Sequence, residues 1–230
     1  MSGKWRILLR TIGWFFHPFL GVKVHGKENI PPRGPVIVAP NHRTYFDPPV
    51  VGYALAVSLN PREAYFLAKE DLWKLRPFGK LIEFLNAIPL KRSAQARKAL
   101  MHAIDLLNRG GTVVIFPEGG RNKTSQDLLP FKLGVAFLAF QTGAPVVPAY
   151  ITNNHGRAIT KPWKWILRVQ PIHVYFGKPL YPSDFPKGRR GQVEFTKALQ
   201  KAVEELMQQA IADGVEKRKR TEVLGLEDHR

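Results

Sequence analysis

The chain has 230 residues, 44% of them hydrophobic, with no cysteine and a formal net charge of +17. That length fits one α/β domain with an appendage, and the apolar content suffices for a core. The lack of cysteine excludes a disulfide framework and a thiolate metal site. The charge favours polyanionic partners, namely nucleic acid, an anionic membrane face or phosphorylated substrates.

The first predicted element is an N-terminal helix within residues 1–21. In KWRILLRTIGWFFHPFL (4–20), the side chains Trp5, Leu8, Leu9, Ile12, Phe15, Phe16 and Phe19 share a helical arc of about 120°. The stretch without Lys or Arg, Thr11 to Val22, is shorter than the roughly 20 residues a spanning helix needs. Such a helix either packs on the domain or lies in a membrane interface, aromatics toward the acyl chains and cations at the headgroups. The aromatic content and the flanking cations favour the membrane. The Lys/Arg excess is concentrated in residues 1–35, 61–98 and 154–190, while 191–213 is net acidic.

Strands and helices then alternate. PVIVAP (35–40) predicts a buried strand, VVGYALAVS (50–58) a helix, AYFLAK (64–69) a strand and IPLKR (88–92) a strand ending in two cations. Ser93 caps a helix running to Asn108, which Gly110-Gly111 stops. TVVIFPE (112–118) is the clearest strand by its β-branched residues. FKLGVAFLAFQT (131–142) is a helix apolar nearly all round. PVVPAYI (145–151) is a strand whose internal proline predicts an irregular or edge position. WILRVQ (165–170) and IHVYFG (172–177) predict a last pair of strands, 192–212 an amphipathic helix, and 213–230 a charged, disordered tail.

Alternation of this kind predicts an α/β fold with a central, mostly parallel sheet flanked by helices over residues 22–212. In such sheets functional loops gather beyond the carboxyl ends of the strands. His42 follows the first core strand, Lys69 the second, Arg92 the third and EGGRNKT (118–124) the fourth. In the loop NHRTYFDPP (41–49), Asp47 before two prolines also reads as a helix cap. No P-loop spacing is present. His25, His102, His155 and His173 are scattered, so no metal site and no cofactor is expected.

NHRTYFD (41–47) resembles the NHx4D block of the glycerolipid acyltransferase superfamily, the 1-acyl-sn-glycerol-3-phosphate acyltransferases of PlsC type. FPEGGRN (116–122) resembles its FPEGTRS block, and NAIPLKR (86–92) the block ending in a basic residue. APVVPAYI (144–151) resembles its fourth block, and AKEDLWKLRPFG (68–79) the segment between the first two. All stand in family order across residues 20–180. Gly120 and Asn122 depart from the family's Thr and Ser, which bears on the acceptor more than on the reaction.

The resemblance implies acyl transfer from acyl-CoA or an acyl carrier protein to the sn-2 hydroxyl of lysophosphatidic acid. It implies a monotopic enzyme at the cytoplasmic face of a bacterial inner membrane, with an anionic membrane surface as partner and no nucleic acid. His42 is then the general base and Asp47 the carboxylate that orients it and stabilises the imidazolium. No serine elbow is present, so direct attack by the acceptor is expected. Backbone N–H groups near Gly119 and Gly120 are candidates for the oxyanion. Lys69, Arg92 (alternatively Lys91) and Arg121 are candidates for the acceptor's phosphate. Glu118 either bonds a glycerol hydroxyl or fixes Arg121, and Asn41 completes the substrate-binding set. Glycerol-3-phosphate or another lyso-lipid is the alternative acceptor. A His/Asp-assisted thioester hydrolase and a non-catalytic basic nucleic-acid module are the competing classes; the second rests on charge alone.

Overall fold

The computed structural model describes residues 21–58, 62–69, 86–90, 94–124, 126–152 and 171–216. The helix expected within 1–21, the segment 70–79, Lys91, Arg92, the strand expected at 165–170 and the tail beyond Glu216 lie outside the described residues.

Seven strands form one sheet: β1 (Lys23–His25), β2 (Val36–Pro40), β3 (Ala64–Lys69), β4 (Ala87–Leu90), β5 (Thr112–Val114), β6 (Val146–Ile151) and β7 (His173–Phe176). Their spatial order is β1-β7-β6-β2-β5-β3-β4. Every pairing is parallel except β6 with β7, so the expected mostly parallel α/β sheet holds. Among the described residues four α-helices accompany it: α1 (Asp47–Ala56), α2 (Ala94–Asn108), α3 (Gly134–Thr142) and α4 (Gly188–Ala212).

The alternation of side chains along each strand divides the core between the two faces. Val36 and Val38 of β2, with Val147 and Ile151 of β6, pack with Val50, Val51 and Leu55 of α1. Ile37 and Ala39, one residue out of phase, face Leu107 of α2, Leu138 of α3 and Phe195 and Leu199 of α4. Helix α1 is buried along nearly its whole length, which explains its lack of a polar face. At the opposite end of the sheet from the strands' carboxyl termini, Arg62 ties three segments together. Its guanidinium donates to the carbonyls of Pro31, Gly34 and Gly110, and to Thr112 Oγ1.

Two expectations are corrected, and one strand is new. β6, expected at an edge because of Pro148, lies in the sheet interior between β7 and β2. Pro148 is tolerated there because of where its missing N–H points. Its carbonyl accepts from Gly177 N (2.9 Å), so its nitrogen faces the same side, where β7 has already ended at Phe176. The strand expected at 112–118 ends at Val114, and the following residues turn into the site loop. β1 was not anticipated; three residues pairing with β7 carry too little periodicity to be read. That pairing also joins two of the histidines that look scattered in sequence: His25 Nε2 lies 2.9 Å from His173 Nδ1.

Candidate active site

β2 and β5 are neighbours in register, Val38 opposite Val114, so the loops that follow them leave the sheet side by side. This brings His42 against residues 116–122. The His42 ring stacks on Phe116 at 4.0 Å between centroids. Its Nδ1 lies 2.9 Å from Asp47 Oδ2.

Asp47 is buried, and its carboxylate is saturated. Oδ2 also accepts the backbone N–H groups of Arg43 (2.6 Å) and Thr44 (2.7 Å), and Oδ1 accepts the Thr44 hydroxyl (2.8 Å). A group that receives this many donors is an acceptor, so the hydrogen of the His42–Asp47 contact lies on His42 Nδ1. The expected helix cap takes a different form. Asp47 is the first residue of α1, and Pro48 and Pro49 after it have no N–H to offer. The carboxylate therefore turns back onto the loop and closes it around His42.

The second loop holds the backbone of His42 from the other side. Glu118 Oε1 accepts His42 N–H (2.8 Å) while Oε2 accepts Leu129 N–H (3.0 Å). Asn122 N–H donates to His42 C=O (2.7 Å). Both main-chain polar groups of the histidine are thus fixed by residues 118–122. Burial pushes the Glu118 carboxyl above its ordinary range, opposed by these N–H bonds and by the nearby Arg43 charge. Among the described residues Glu118 has no contact with Arg121; its carboxylate holds the main chain of His42.

The remaining expected residues are placed as follows. Asn41 is buried, and its amide pairs with β6: Oδ1 accepts from Ile151 N (2.7 Å) and Nδ2 donates to Ile151 O (3.1 Å). It extends the β2–β6 ladder by one side chain rather than facing a substrate. Arg121 lies over the Tyr45 ring, its guanidinium carbon 3.5 Å from the centroid, and Nη2 donates to the Tyr45 hydroxyl at 2.7 Å. Gly119 has φ +69°, and its N–H closes a turn onto Phe116 O (3.0 Å). Of the two glycines, Gly120 is the one whose N–H has no partner among the described residues. Lys69 ends β3 at the same edge of the sheet; its side chain is not among the described ones.

Two residues escaped the sequence reading. Arg43, half-buried in the loop, donates to the carbonyls of Gln126 (2.7 Å) and Asp127 and ties the two loops together. Asn122 stands where the family resemblance expects Ser. It is buried and braces its own loop through Thr124 N–H (3.0 Å), the Thr124 hydroxyl (2.8 Å) and Gln126 O (3.1 Å). Arg43 depends on a contact between the two loops, whereas the side-chain contacts of Asn122 are local and only its backbone N–H reaches across to His42.

Fold and site together define an α/β enzyme with a carboxylate-oriented histidine at the carboxyl edge of its sheet. A family model described as Acyltransferase matches residues 21–152, and the chain belongs to that family. A 1-acyl-sn-glycerol-3-phosphate acyltransferase of Bacillus subtilis (strain 168) is 31% identical over 189 residues, covering 81% of this chain and 88% of that one. A human 1-acyl-sn-glycerol-3-phosphate acyltransferase beta is 32% identical over 154 residues, 63% of this chain and 53% of that one. The crystal structure of the 1-acyl-sn-glycerophosphate acyltransferase PlsC from Thermotoga maritima superposes with a TM-score of 0.63 at 28% identity. The match covers 88% of this chain and 81% of that one.

Proposed function

We propose that this chain acylates the sn-2 hydroxyl of lysophosphatidic acid at a membrane surface, giving phosphatidic acid. The observation that carries this reading is the His42–Asp47 pair, Nδ1 lying 2.9 Å from the buried carboxylate. The names of the relatives supply the substrate class.

In the proposed reaction His42 Nε2 takes the proton of the acceptor hydroxyl as its oxygen attacks the thioester carbonyl. Asp47 stabilises the imidazolium that forms. The Gly120 N–H stabilises the oxyanion of the tetrahedral intermediate. Collapse breaks the carbon–sulfur bond, and the imidazolium returns its proton to the leaving thiolate. Products are the ester and the free thiol of CoA or of an acyl carrier protein. Arg121 leaves Tyr45 to hold the acceptor's phosphate, with Lys69 and Arg92 as further candidates. Residues 1–21 hold the site at the depth of a lipid headgroup.

The test is a turnover assay of purified protein with acyl-CoA and with acyl carrier protein as donors. Acceptors are lysophosphatidic acid, glycerol-3-phosphate and a monoacylglycerol, with products identified by mass. Phosphatidic acid is expected from wild type, and none from His42→Ala at unchanged folding. Thioester consumed without an ester product would mark a hydrolase. Arg121→Ala is expected to raise KM for the phosphate-bearing acceptor by roughly tenfold to a hundredfold, the scale of one charge-assisted bond. The monoacylglycerol should be nearly indifferent to that change.

A further inference from the structure

The hydrogen bonds of the two acids at the site go to backbone N–H groups, a hydroxyl and the His42 ring. Asp47 takes two backbone N–H groups, a hydroxyl and the imidazole; Glu118 takes two backbone N–H groups. Glu118 forms no ion pair with a lysine or with Arg121 among the described residues. The loop after it therefore carries positive charge at Arg121 that Glu118 does not pair with.

Lys132 adds to that charge from an unexpected direction. Its backbone N–H donates to Pro117 O (2.8 Å), which fastens residue 132 to the base of the Glu118–Arg121 turn. Its side chain then runs across Gly119. A Cβ on Gly119 would stand 2.7 Å from Lys132 Cδ, 2.9 Å from Cε and 2.7 Å from Nζ. The stem and the ammonium thus occupy the space that any side chain at 119 would fill. Gly119 meets two requirements at once, a φ of +69° and a seat for this lysine. Lys132 itself is exposed, and its ammonium has no ion pair or hydrogen bond among the described residues. The first turn of α3, which follows it, contains no acid to pair with it.

We propose that Lys132 binds a phosphate group of the reactants, its ammonium presented beside the Glu118–Arg121 turn by the bare backbone of Gly119. The phosphate is either the acceptor's or that of a CoA donor. A lysine ammonium suits this as a compact charge with three donors. Its role rests on the proposed acyl transfer and deepens it. Lys132 is a further binding residue beyond Arg121, and its partner in sequence is a glycine instead of a cation.

Lys132→Met keeps the stem and removes the charge. It is expected to raise KM about tenfold for one phosphate-bearing reactant, with kcat within about twofold, the scale of one charge-assisted bond. A rise for lysophosphatidic acid but not for a monoacylglycerol assigns the acceptor's phosphate. A rise for acyl-CoA but not for an acyl-pantetheine assigns the donor's. Lys132→Ala, which removes the stem as well as the charge, should reproduce the same selective rise. Lys132→Met with every KM unchanged, in an enzyme whose wild type turns over, overturns the inference and leaves the acyltransferase reading intact. Calorimetric titration of wild type and Lys132→Met with glycerol-3-phosphate and with inorganic phosphate reads the same point without turnover. Weaker binding in the variant is expected, and equal binding overturns the inference even if no acyl acceptor is found.

Discussion

Asp47 carries two tasks on one carboxylate, orienting His42 and closing the loop from Arg43 to Thr44. Asp47→Asn keeps the shape but sets an amide against donors that all need an acceptor. Loss of most turnover is expected, with a stability loss of about 1–3 kcal/mol, the cost of leaving a buried donor unsatisfied. Turnover beside urea unfolding separates the two. Glu118 differs, because it touches His42 only through the main chain. Glu118→Gln has one acceptor oxygen for two N–H groups, so His42 is held less firmly. A fall in kcat of about tenfold to a hundredfold is expected, as for a misplaced catalytic group. The pH dependence has a definite sign. A carboxyl raised in the folded state favours folding while protonated. That contribution is present below its ordinary value of 4.5 and is lost as pH rises through the raised one. The stability of wild type relative to Glu118→Gln should therefore decline with pH across that window and level off above it. Unfolding midpoints of both proteins across the acid range check this.

At the scale of elements, β1 depends on a titratable contact. His25 and His173 share a hydrogen bond of 2.9 Å, and both stack with Tyr175, whose hydroxyl donates to Asp213 Oδ2 at 2.7 Å. Burial lowers both imidazoles. Lys23 pushes the same way, His25 lowers His173 further, and Asp213 opposes. A base lowered in the folded state contributes stability that is present above its ordinary value of 6.5 and is lost as pH falls through the lowered one. Two imidazolium groups at this spacing would also repel. Amide exchange in Lys23–His25 is expected to accelerate, relative to β2, on going from about pH 7.5 to about pH 5.5. The double variant His25→Phe with His173→Phe keeps the rings and should abolish that difference. Equal acceleration in the variant would place the cause elsewhere.

At the scale of the whole molecule, the proposed reaction at a membrane surface raises the question of what would hold the site there. No helix among the described residues is long and apolar enough to cross a membrane. The aromatic arc of residues 5–19 and the +17 charge offer an interfacial route. Deleting residues 1–20 is expected to release the protein from anionic vesicles and to weaken acylation of embedded lyso-lipid more than of glycerol-3-phosphate. Trp5→Glu with Phe16→Glu should do the same without shortening the chain. Co-sedimentation at low and high salt apportions the effect: the part due to charge falls with salt, and the part due to aromatics persists. Unchanged binding in the double variant would assign the membrane to the basic surface alone.

The fold class was legible because strand and helix differ in period, and short apolar runs such as the β-branched Val36–Ala39 and the aromatic-containing Ala64–Lys69 read as strands between helical segments. His42 and Asp47 were legible because they lie in one loop, where spacing alone brings them together. What the sequence could not decide were the contacts across the sheet. Glu118 reads as a substrate ligand until β5 is known to lie beside β2; only then is it seen to grip His42 from 76 residues away. Asn41 reads as part of the site until β6 is found on its other side, taking both ends of its amide. Pro148 reads as an edge marker until β7 is seen to stop one pair short of it. Lys132 reads as one surface cation among many until Gly119 is found beneath it. In each case the residue's own chemistry was plain in the sequence. Its partner was not, because strand order, and with it the identity of spatial neighbours, is settled by how the apolar faces of distant segments pack.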